Sequence, residues 1–189
     1  MKNITTFREF LTESKKLRIF HGDNHSTTRL DPKLMNNGNN QEGIGIYFST
    51  LEKTAHDYGK DVVYLDIDPK KFIPSRDSVR KHLKSPDLVK LLKMMHESDM
   101  EAFYYFVSDF IEVYEPEDVN DSHIREMTKH ISSDEIRNFQ IDMARNCGVN
   151  VFVNAWNTIF KNIHGTYNTN RDDEVWYCVI NDKLKLNNL

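Results

Sequence analysis

The sequence predicts an α+β fold, and three observations lead to that class. Apolar segments of strand length lie near both ends of the 189-residue chain. The stretch between them repeats its apolar residues at helical spacing. No internal repeat or low-complexity tract appears. Strands grouped apart from the helices are typical of α+β proteins.

The N-terminal third predicts strands separated by one loop and one helix. Three segments rich in β-branched and aromatic residues are predicted strands: 17–20, 43–50 and 61–68. The polar, Asn- and Gly-rich segment 31–42 predicts a loop. Residues 51–58 predict a short helix, with Ser49 or Thr50 as its N-cap and Gly59 at its end.

The middle of the chain predicts helices and the C-terminal part predicts strands again. Residues 75–115 and 118–147 carry apolar residues on one helical face, and Gly148 ends the last helix. The alternating segment VNVFVNAW at 149–156 predicts a strand. A polar loop is expected at 160–173, followed by a final strand at 174–180.

Composition excludes several classes of protein. The net charge of −4 gives no electrostatic footprint for nucleic acid. No run of about 18 apolar residues occurs, so no membrane span is expected. Cys147 and Cys178 lack metal-ligand spacing and are too few for a disulfide scaffold. We therefore expect two reduced, buried thiols in an intracellular protein, and no metal site.

Three stretches carry the residues that chemistry could use. The first predicted strand runs directly into His21-Gly22. Tyr47 and Tyr58 stand eleven residues apart, across a strand-to-helix corner in GIGIYFSTLEKTAHDYG. Glu174 opens an apolar strand after a long polar segment. Each stretch alone is weak, because histidine-glycine turns, core tyrosines and charged strand edges are all common.

Together, in this order, the three stretches resemble the ADP-ribosyltransferase fold. The resemblance is to the His-Tyr-Glu class shared by diphtheria toxin and the poly(ADP-ribose) polymerases, and it covers 17–72 and 149–186. It implies a split β-sheet core with a central helical insertion at about 75–147. It also implies NAD as the substrate and no metal.

The resemblance assigns a role to each matching position. Glu174 would bind the 2′-hydroxyl of the nicotinamide ribose and stabilise the ribosyl cation that forms as nicotinamide leaves. Tyr47 and Tyr58 would hold the nicotinamide ring between them, and Gly22 would present its backbone to the carboxamide. Four further residues complete the set: His21 on the adenosine ribose, Ser49 among the NAD-binding residues, and Tyr167 and Arg171 in the loop that selects the acceptor.

Departures from the family pattern narrow the expected activity. Ala55 stands eight residues after the first tyrosine, where the polymerases have serine, so transfer of a single ADP-ribose is expected. Asp23 follows His-Gly, where many members have threonine or serine. Asp172 and Asp173 leave open a shift of the catalytic carboxylate by one or two residues. The arginine-specific Arg-Ser-Glu class stays open but disfavoured, since FST at 48–50 is incomplete and Asp172 replaces its first glutamate.

The first 13 residues resemble a different signal. The amphipathic segment MKNITTFREFLTE is similar to capsid-targeting peptides of T-even-type phage internal head proteins. Its end, Leu-Thr-Glu, resembles the site cut by the prohead protease of those phages, here between Glu13 and Ser14. We therefore expect a leader at 1–13 and a domain at 14–189. A plain N-terminal helix is the alternative.

These expectations combine into one function with two alternatives. The first hypothesis is a phage mono-ADP-ribosyltransferase packaged in the virion interior and injected into the host cytoplasm. It would transfer ADP-ribose from NAD to a host protein or nucleic acid. The second is a catalytically inactive protein of the same fold that inhibits a host defence factor by binding. The third, a DNA-condensing head protein, is disfavoured by the acidic net charge.

Overall fold

The fold is taken from a computed structural model that describes residues 16–24, 29–35, 43–169 and 174–189. The leader predicted at 1–13, its cleavage site, Arg171 of the predicted acceptor loop and the alternative catalytic carboxylates Asp172 and Asp173 lie outside the described residues. The fold class, α+β, is confirmed by the seven strands and seven α-helices of the described part.

The strands are short and bracket the helices in the chain. They are β1 Leu17–Asp23, β2 Ile46–Ser49, β3 Asp61–Ile67, β4 Phe72–Pro74, β5 Gly165–Thr169, β6 Val175–Val179 and β7 Asn187–Asn188. They form one sheet in the order β4-β5-β6-β2-β1-β3-β7. All neighbouring strands are antiparallel except β4 and β5.

The sheet consists of two well-paired ladders with a narrow junction. β1 pairs with β3 over seven registered positions, and β2 pairs with β6 over four. β1 and β2 share a single registered pair, Phe20 with Ser49. The two strands that carry the predicted His-Gly and tyrosine motifs are therefore neighbours with little backbone pairing between them.

Of the seven α-helices described, the first lies between β2 and β3 and the other six lie between β4 and β5. They are α1 Glu52–Tyr58, α2 Val79–His82, α3 Ser85–Ser98, α4 Met100–Ser108, α5 Asp121–Ile131, α6 Ile136–Cys147 and α7 Val149–Ile159. Three 3-10 turns add to them: Pro32–Leu34, Pro69–Lys71 and Pro116–Asp118. No helix of the described ranges is long and apolar enough to cross a bilayer.

The strand predicted at 149–156 is wrong, because this segment forms helix α7. Its side chains alternate, but they also repeat at helical spacing, and the helix buries Phe152, Val153, Ala155 and Trp156. Packing against α3 and α6 therefore overrides the strand preference of its valines. Gly148, at φ +87°, separates α6 from α7.

Two predicted loops are partly ordered elements. Residues 165–169 of the expected loop 160–173 form β5, so Tyr167 is a strand residue paired with Tyr177. The loop predicted at 31–42 contains the turn Pro32–Leu34, and Met35 at its end is fully buried. Polar composition misled both predictions, since β5 is an inner strand whose neighbours supply its hydrogen bonds.

A single apolar core joins the sheet to the helices. Its largest fully buried side chains come from both parts: Phe48 and Tyr177 from the sheet, and Phe103, Phe139, Phe152 and Trp156 from the helices. Both cysteines are buried and unbonded to each other. Burial raises the pKa of the Cys147 thiol to about 12.

Candidate functional site

His21 follows Phe20, whose pair with Ser49 is the single registered pair of β1 and β2. Its Nδ1 is 2.7 Å from the carbonyl oxygen of Tyr47. A carbonyl oxygen can only accept, so Nδ1 carries the proton. Burial lowers the pKa of His21 more than the bond to Tyr47 raises it. The ring is thus neutral near pH 7, and its Nε2 keeps a free lone pair that can accept a hydrogen bond.

Gly22, the next residue, allows helix α1 to pack directly on β1. A Cβ on Gly22 would lie 1.9 Å from the carbonyl oxygen of Ala55, so only glycine fits. Beyond it, the side chain of Asn24 donates to the carbonyl of Tyr58 at 3.3 Å and accepts from the amide of Lys60 at 3.2 Å. These contacts fix the end of α1, and with it Tyr58, beside the end of β1.

Tyr47 is held by its backbone carbonyl and by its side-chain hydroxyl. Its carbonyl accepts from His21, and its hydroxyl donates to the carbonyl of Gly43 at 2.9 Å. Gly43 has φ +117° and is itself supported by helix α6, whose Gln140 side chain accepts from the amide of Ile44 at 3.3 Å. Sequence reasoning missed Gln140, because a single polar residue on a helix gives no signal of a contact 96 residues away.

Glu174 is bound to the end of β2. The hydroxyl of Ser49 donates to a carboxylate oxygen of Glu174 and accepts from the amide of Leu51 at 2.8 Å. Backbone bonds between Thr50 and Val175 reinforce the junction, with 3.1 Å from the Thr50 amide to the Val175 carbonyl. The predicted N-cap role of Ser49 or Thr50 is wrong: Leu51 occupies the N-cap of α1, and Ser49 bonds Glu174 instead.

Tyr58 projects from the end of α1 and is 65% exposed. Its ring lies edge-on against Trp176, with ring centroids 5.8 Å apart. Trp176 is registered with Ser49 across β2 and β6, which places it next to the bond between Ser49 and Glu174. Sequence reasoning missed Trp176, although its position two residues after Glu174 puts both side chains on one face of the strand.

In the described structure the predicted site residues form two bonded pairs along β2: His21 with Tyr47, and Ser49 with Glu174. Gly22 packs against α1, and Tyr58 borders the second pair through Trp176. Tyr167 stands apart from them, half-buried in β5, with its ring 6.0 Å from that of Tyr177. Three ranges next to the site, 25–28, 36–42 and 170–173, lie outside the described residues.

This part of the sheet carries a carboxylate, a neutral imidazole and an exposed aromatic ring. No group of three His, Cys, Asp or Glu side chains suited to a metal occurs in the described ranges.

Comparisons with known proteins give little support for any family. No family model matches the sequence, and no curated protein matches it. Among solved structures, a crystal structure of an anti-CRISPR protein is similar at 10% identity, covering 93% of this chain and 97% of that one. Its TM-score is 0.35, which does not establish a common fold.

Proposed function

We propose that this chain has the ADP-ribosyltransferase fold and transfers one ADP-ribose from NAD to a host macromolecule. The observation that carries the proposal is the hydrogen bond from Ser49 to Glu174, between residues 125 apart in the chain. It sets the carboxylate beside the strand that bears Tyr47, as the resemblance requires. The narrow contact between β1 and β2 fits the split sheet of that fold.

Glu174 acts on the charge that develops at the ribose. The bond between nicotinamide nitrogen and ribose C1′ breaks, and its electron pair leaves with nicotinamide. A ribosyl cation remains, and the carboxylate stabilises it while accepting from the 2′-hydroxyl. The acceptor then attacks C1′ and loses a proton. Ser49 holds one carboxylate oxygen, so the charge is positioned before the substrate binds.

His21 and the tyrosines bind the two ends of NAD. Because Nδ1 of His21 is committed to Tyr47, Nε2 is the acceptor for a ribose hydroxyl of the adenosine. Tyr47 and the exposed ring of Tyr58 form the nicotinamide subsite, and aromatic stacking suits a flat ring. The backbone of Gly22, at the open end of β1, faces the carboxamide.

The His-Tyr-Glu class is favoured over the Arg-Ser-Glu class. The arginine available on β1, Arg18, is bound elsewhere: its guanidinium bonds Asp66 at 2.9 Å and lies 4.0 Å from the ring centre of Tyr64. It lies on an exposed part of the sheet, three residues before His21. The residues of β1 that contact β2 at the junction are Phe20, through its pair with Ser49, and His21.

Nicotinamide release by the variant Glu174→Gln tests the proposal. This change removes the charge and keeps the shape, so turnover should fall by about 10²–10³-fold while the melting temperature stays within a few degrees. Glu52→Gln, which neutralises an exposed carboxylate on α1, is the matched control and should keep full turnover.

Two results would contradict this assignment. Unchanged release in Glu174→Gln would move the catalytic role elsewhere, with Asp173 as the next candidate. No release by the parent chain, and no labelling of host lysate with biotin-NAD, would favour the inactive binding protein that inhibits a host defence factor.

Delivery in the phage head is a second part of the proposal and rests on residues 1–13 alone. The first described strand begins at Leu17, so a cut after Glu13 removes no part of the sheet. Edman sequencing of the protein from mature virions should therefore begin at Ser14. An intact Met1 in virions would remove the packaging proposal and leave the transferase proposal untouched.

The acceptor-selecting region is also a proposal. Arg171 remains the candidate there, since it follows β5 and precedes Glu174. Tyr167 contributes to the packing of β5 against Tyr177, so its replacement would disturb the sheet as well as any acceptor.

A further inference from the structure

Helix α4 and the segment after it form the most acidic part of the chain. Residues 99–121 contain eight Asp and Glu and no Lys, Arg or His. The remaining residues hold 25 Lys and Arg against 21 Asp and Glu, so the rest of the chain is net positive. The acidity of this protein is therefore local. All eight of these carboxylates belong to exposed residues.

The same segment exposes large aromatic side chains. Tyr105 is 59% exposed, Phe110 45% and Tyr114 72%. Helix α4 buries its other face, through Phe103, Phe106 and Val107. We call the exposed set the acidic–aromatic surface; it consists of Glu101, Tyr105, Asp109, Phe110, Glu112, Tyr114, Glu115 and Glu117.

The members of the acidic–aromatic surface lie together in the fold. The hydroxyl of Tyr104 on α4 donates to the carbonyl of Tyr114 at 2.9 Å, and the 3-10 turn Pro116–Asp118 packs on α4. The hydroxyl of Tyr114 donates to Glu112, which raises the pKa of Tyr114. The residues that follow α4 are thus folded back onto it as a continuous face.

The cationic side chains of neighbouring helices do not neutralise this face. Lys93 of α3 is paired with Asp121 at 2.7 Å, outside the acidic–aromatic surface. His130 of α5 lies against Phe110, with ring centroids 6.2 Å apart. Lys129 of α5 is bound to Glu126 of its own helix. Among the described residues, no ion pair neutralises Glu101, Asp109, Glu112, Glu115 or Glu117.

We propose that the acidic–aromatic surface docks a protein with an arginine-rich surface. Carboxylates attract the guanidinium groups, and exposed tyrosine rings stack on them, so arginine fits both parts of the face better than lysine does. Nucleic acid is repelled by this charge. The inference rests on the proposed function and deepens it, because it makes the acceptor a protein. That protein would bind through a basic surface of the kind with which proteins contact nucleic acid.

The acidic–aromatic surface and the residues that hold Glu174 belong to different elements of the fold. Helix α4 packs on α3 and α6, whereas the residues at the end of β2 contact β1, β6 and α1. Docking on the acidic–aromatic surface therefore uses none of the residues that hold Glu174. Electrostatic attraction over this face also speeds the encounter, and that effect weakens as salt is added.

Binding of fluorescent oligoarginine and of oligolysine of equal length, measured by anisotropy on the full chain, tests the proposal. The parent chain should bind oligoarginine more tightly than oligolysine. Glu112→Gln/Glu115→Gln/Glu117→Gln should weaken both by about tenfold at low salt. Tyr105→Ser/Tyr114→Ser should remove most of the preference for oligoarginine, an effect of about three- to tenfold.

The control is Glu52→Gln/Asp57→Asn/Asp61→Asn, which removes three exposed carboxylates on α1 and β3 and should leave binding unchanged. An equal loss in this control would overturn the proposal, because binding would then follow net charge alone. An unchanged preference for oligoarginine in Tyr105→Ser/Tyr114→Ser would also overturn it. The same holds if the parent chain is a dimer and Tyr105→Ser/Tyr114→Ser is a monomer. Peptide binding needs no NAD, so its failure and the failure of the Glu174→Gln test are distinct.

Discussion

The two edges of strand β2 differ in how they are held, and the candidate site lies between them. On one edge, β6 pairs with β2 at four positions from Ile46 to Ser49. On the other, β1 meets β2 at the single pair of Phe20 and Ser49, and the His21 side chain supplies the next bond. The paired edge is fixed by backbone geometry, and the open edge by a side chain.

The difference separates two ways of joining neighbouring strands. A fully paired ladder uses the backbone donors and acceptors of both facing edges. Next to the single registered pair of β1 and β2, the imidazole of His21 bonds the backbone of β2 instead. On the paired edge, Ser49 holds the Glu174 carboxylate at a fixed place.

The largest effect is expected from removing the Ser49 hydroxyl, which joins Glu174 to β2. Ser49→Ala removes the donor to Glu174 and the acceptor for the Leu51 amide, so turnover should fall about ten- to hundredfold. The free energy of unfolding should fall by about 1 kcal/mol. Steady-state nicotinamide release and thermal melting measure both quantities.

The matched control for Ser49→Ala is Thr50→Val. It removes the acceptor for the Val175 amide, 3.2 Å away, but no contact with Glu174. It should cost similar stability and spare turnover. Equal losses of turnover in the two variants would mean that only the strand junction matters, and not the position of the carboxylate.

A smaller effect is expected from Tyr58, the exposed ring at the end of α1. Tyr58→Ala removes a ring that is 65% exposed, so the melting temperature should barely change. NAD binding should weaken by about 1 kcal/mol, or roughly fivefold, if this ring stacks on nicotinamide. Isothermal titration with NAD checks this prediction, and Tyr105→Ala, another exposed tyrosine, should bind NAD as the parent does. A fall in stability without weaker binding would make Tyr58 a packing residue.

The smallest effect is expected at His21, whose side chain bonds the carbonyl of Tyr47. Burial lowers the pKa of His21 below its ordinary value of 6.5, so below pH 6.5 the unfolded chain takes up a proton that the folded chain does not. The free energy of unfolding should therefore fall as the pH drops from 6.5 towards the folded pKa. In His21→Asn, whose amide can still donate to Tyr47, this fall should be shallower. Urea unfolding at several pH values measures it.

His164 provides the comparison on the other side of the sheet. Burial, and then Lys71, lower its pKa as well, and it precedes β5 rather than the site. His164→Asn should flatten the same pH dependence without altering NAD binding. A pH dependence that survives in both variants would place the titrating group elsewhere.

Local sequence signals were sufficient for the elements that surround the site. The short apolar segment before His21, the glycines flanking β2 and the Pro-closed strand β3 predicted three strands close to where they lie. The end of α6 before Gly148 was also predicted, since glycine at positive φ terminates a helix. These features depend on residues that are adjacent in the chain, so they can be recognised from the sequence alone.

Tertiary packing decided the elements with ambiguous patterns. The segment that forms α7 reads as a strand by alternation and as a helix by its buried positions, and contact with α3 and α6 selects the helix. In β5, polar residues form a strand because β4 and β6 flank it and supply its hydrogen bonds. Local propensity is too weak to settle either case without those neighbours.

The sequence by itself determined which residues could do chemistry, and only the tertiary structure decided how they are held. His21, Tyr47 and Glu174 stand out by type and order along the chain. The bond from Ser49 to Glu174, the carbonyl contact of His21, the support of Gly43 by Gln140 and the ring of Trp176 beside Tyr58 all join distant segments. Such contacts follow from strand register and helix packing, which are properties of the whole core and leave no mark on a local stretch of sequence.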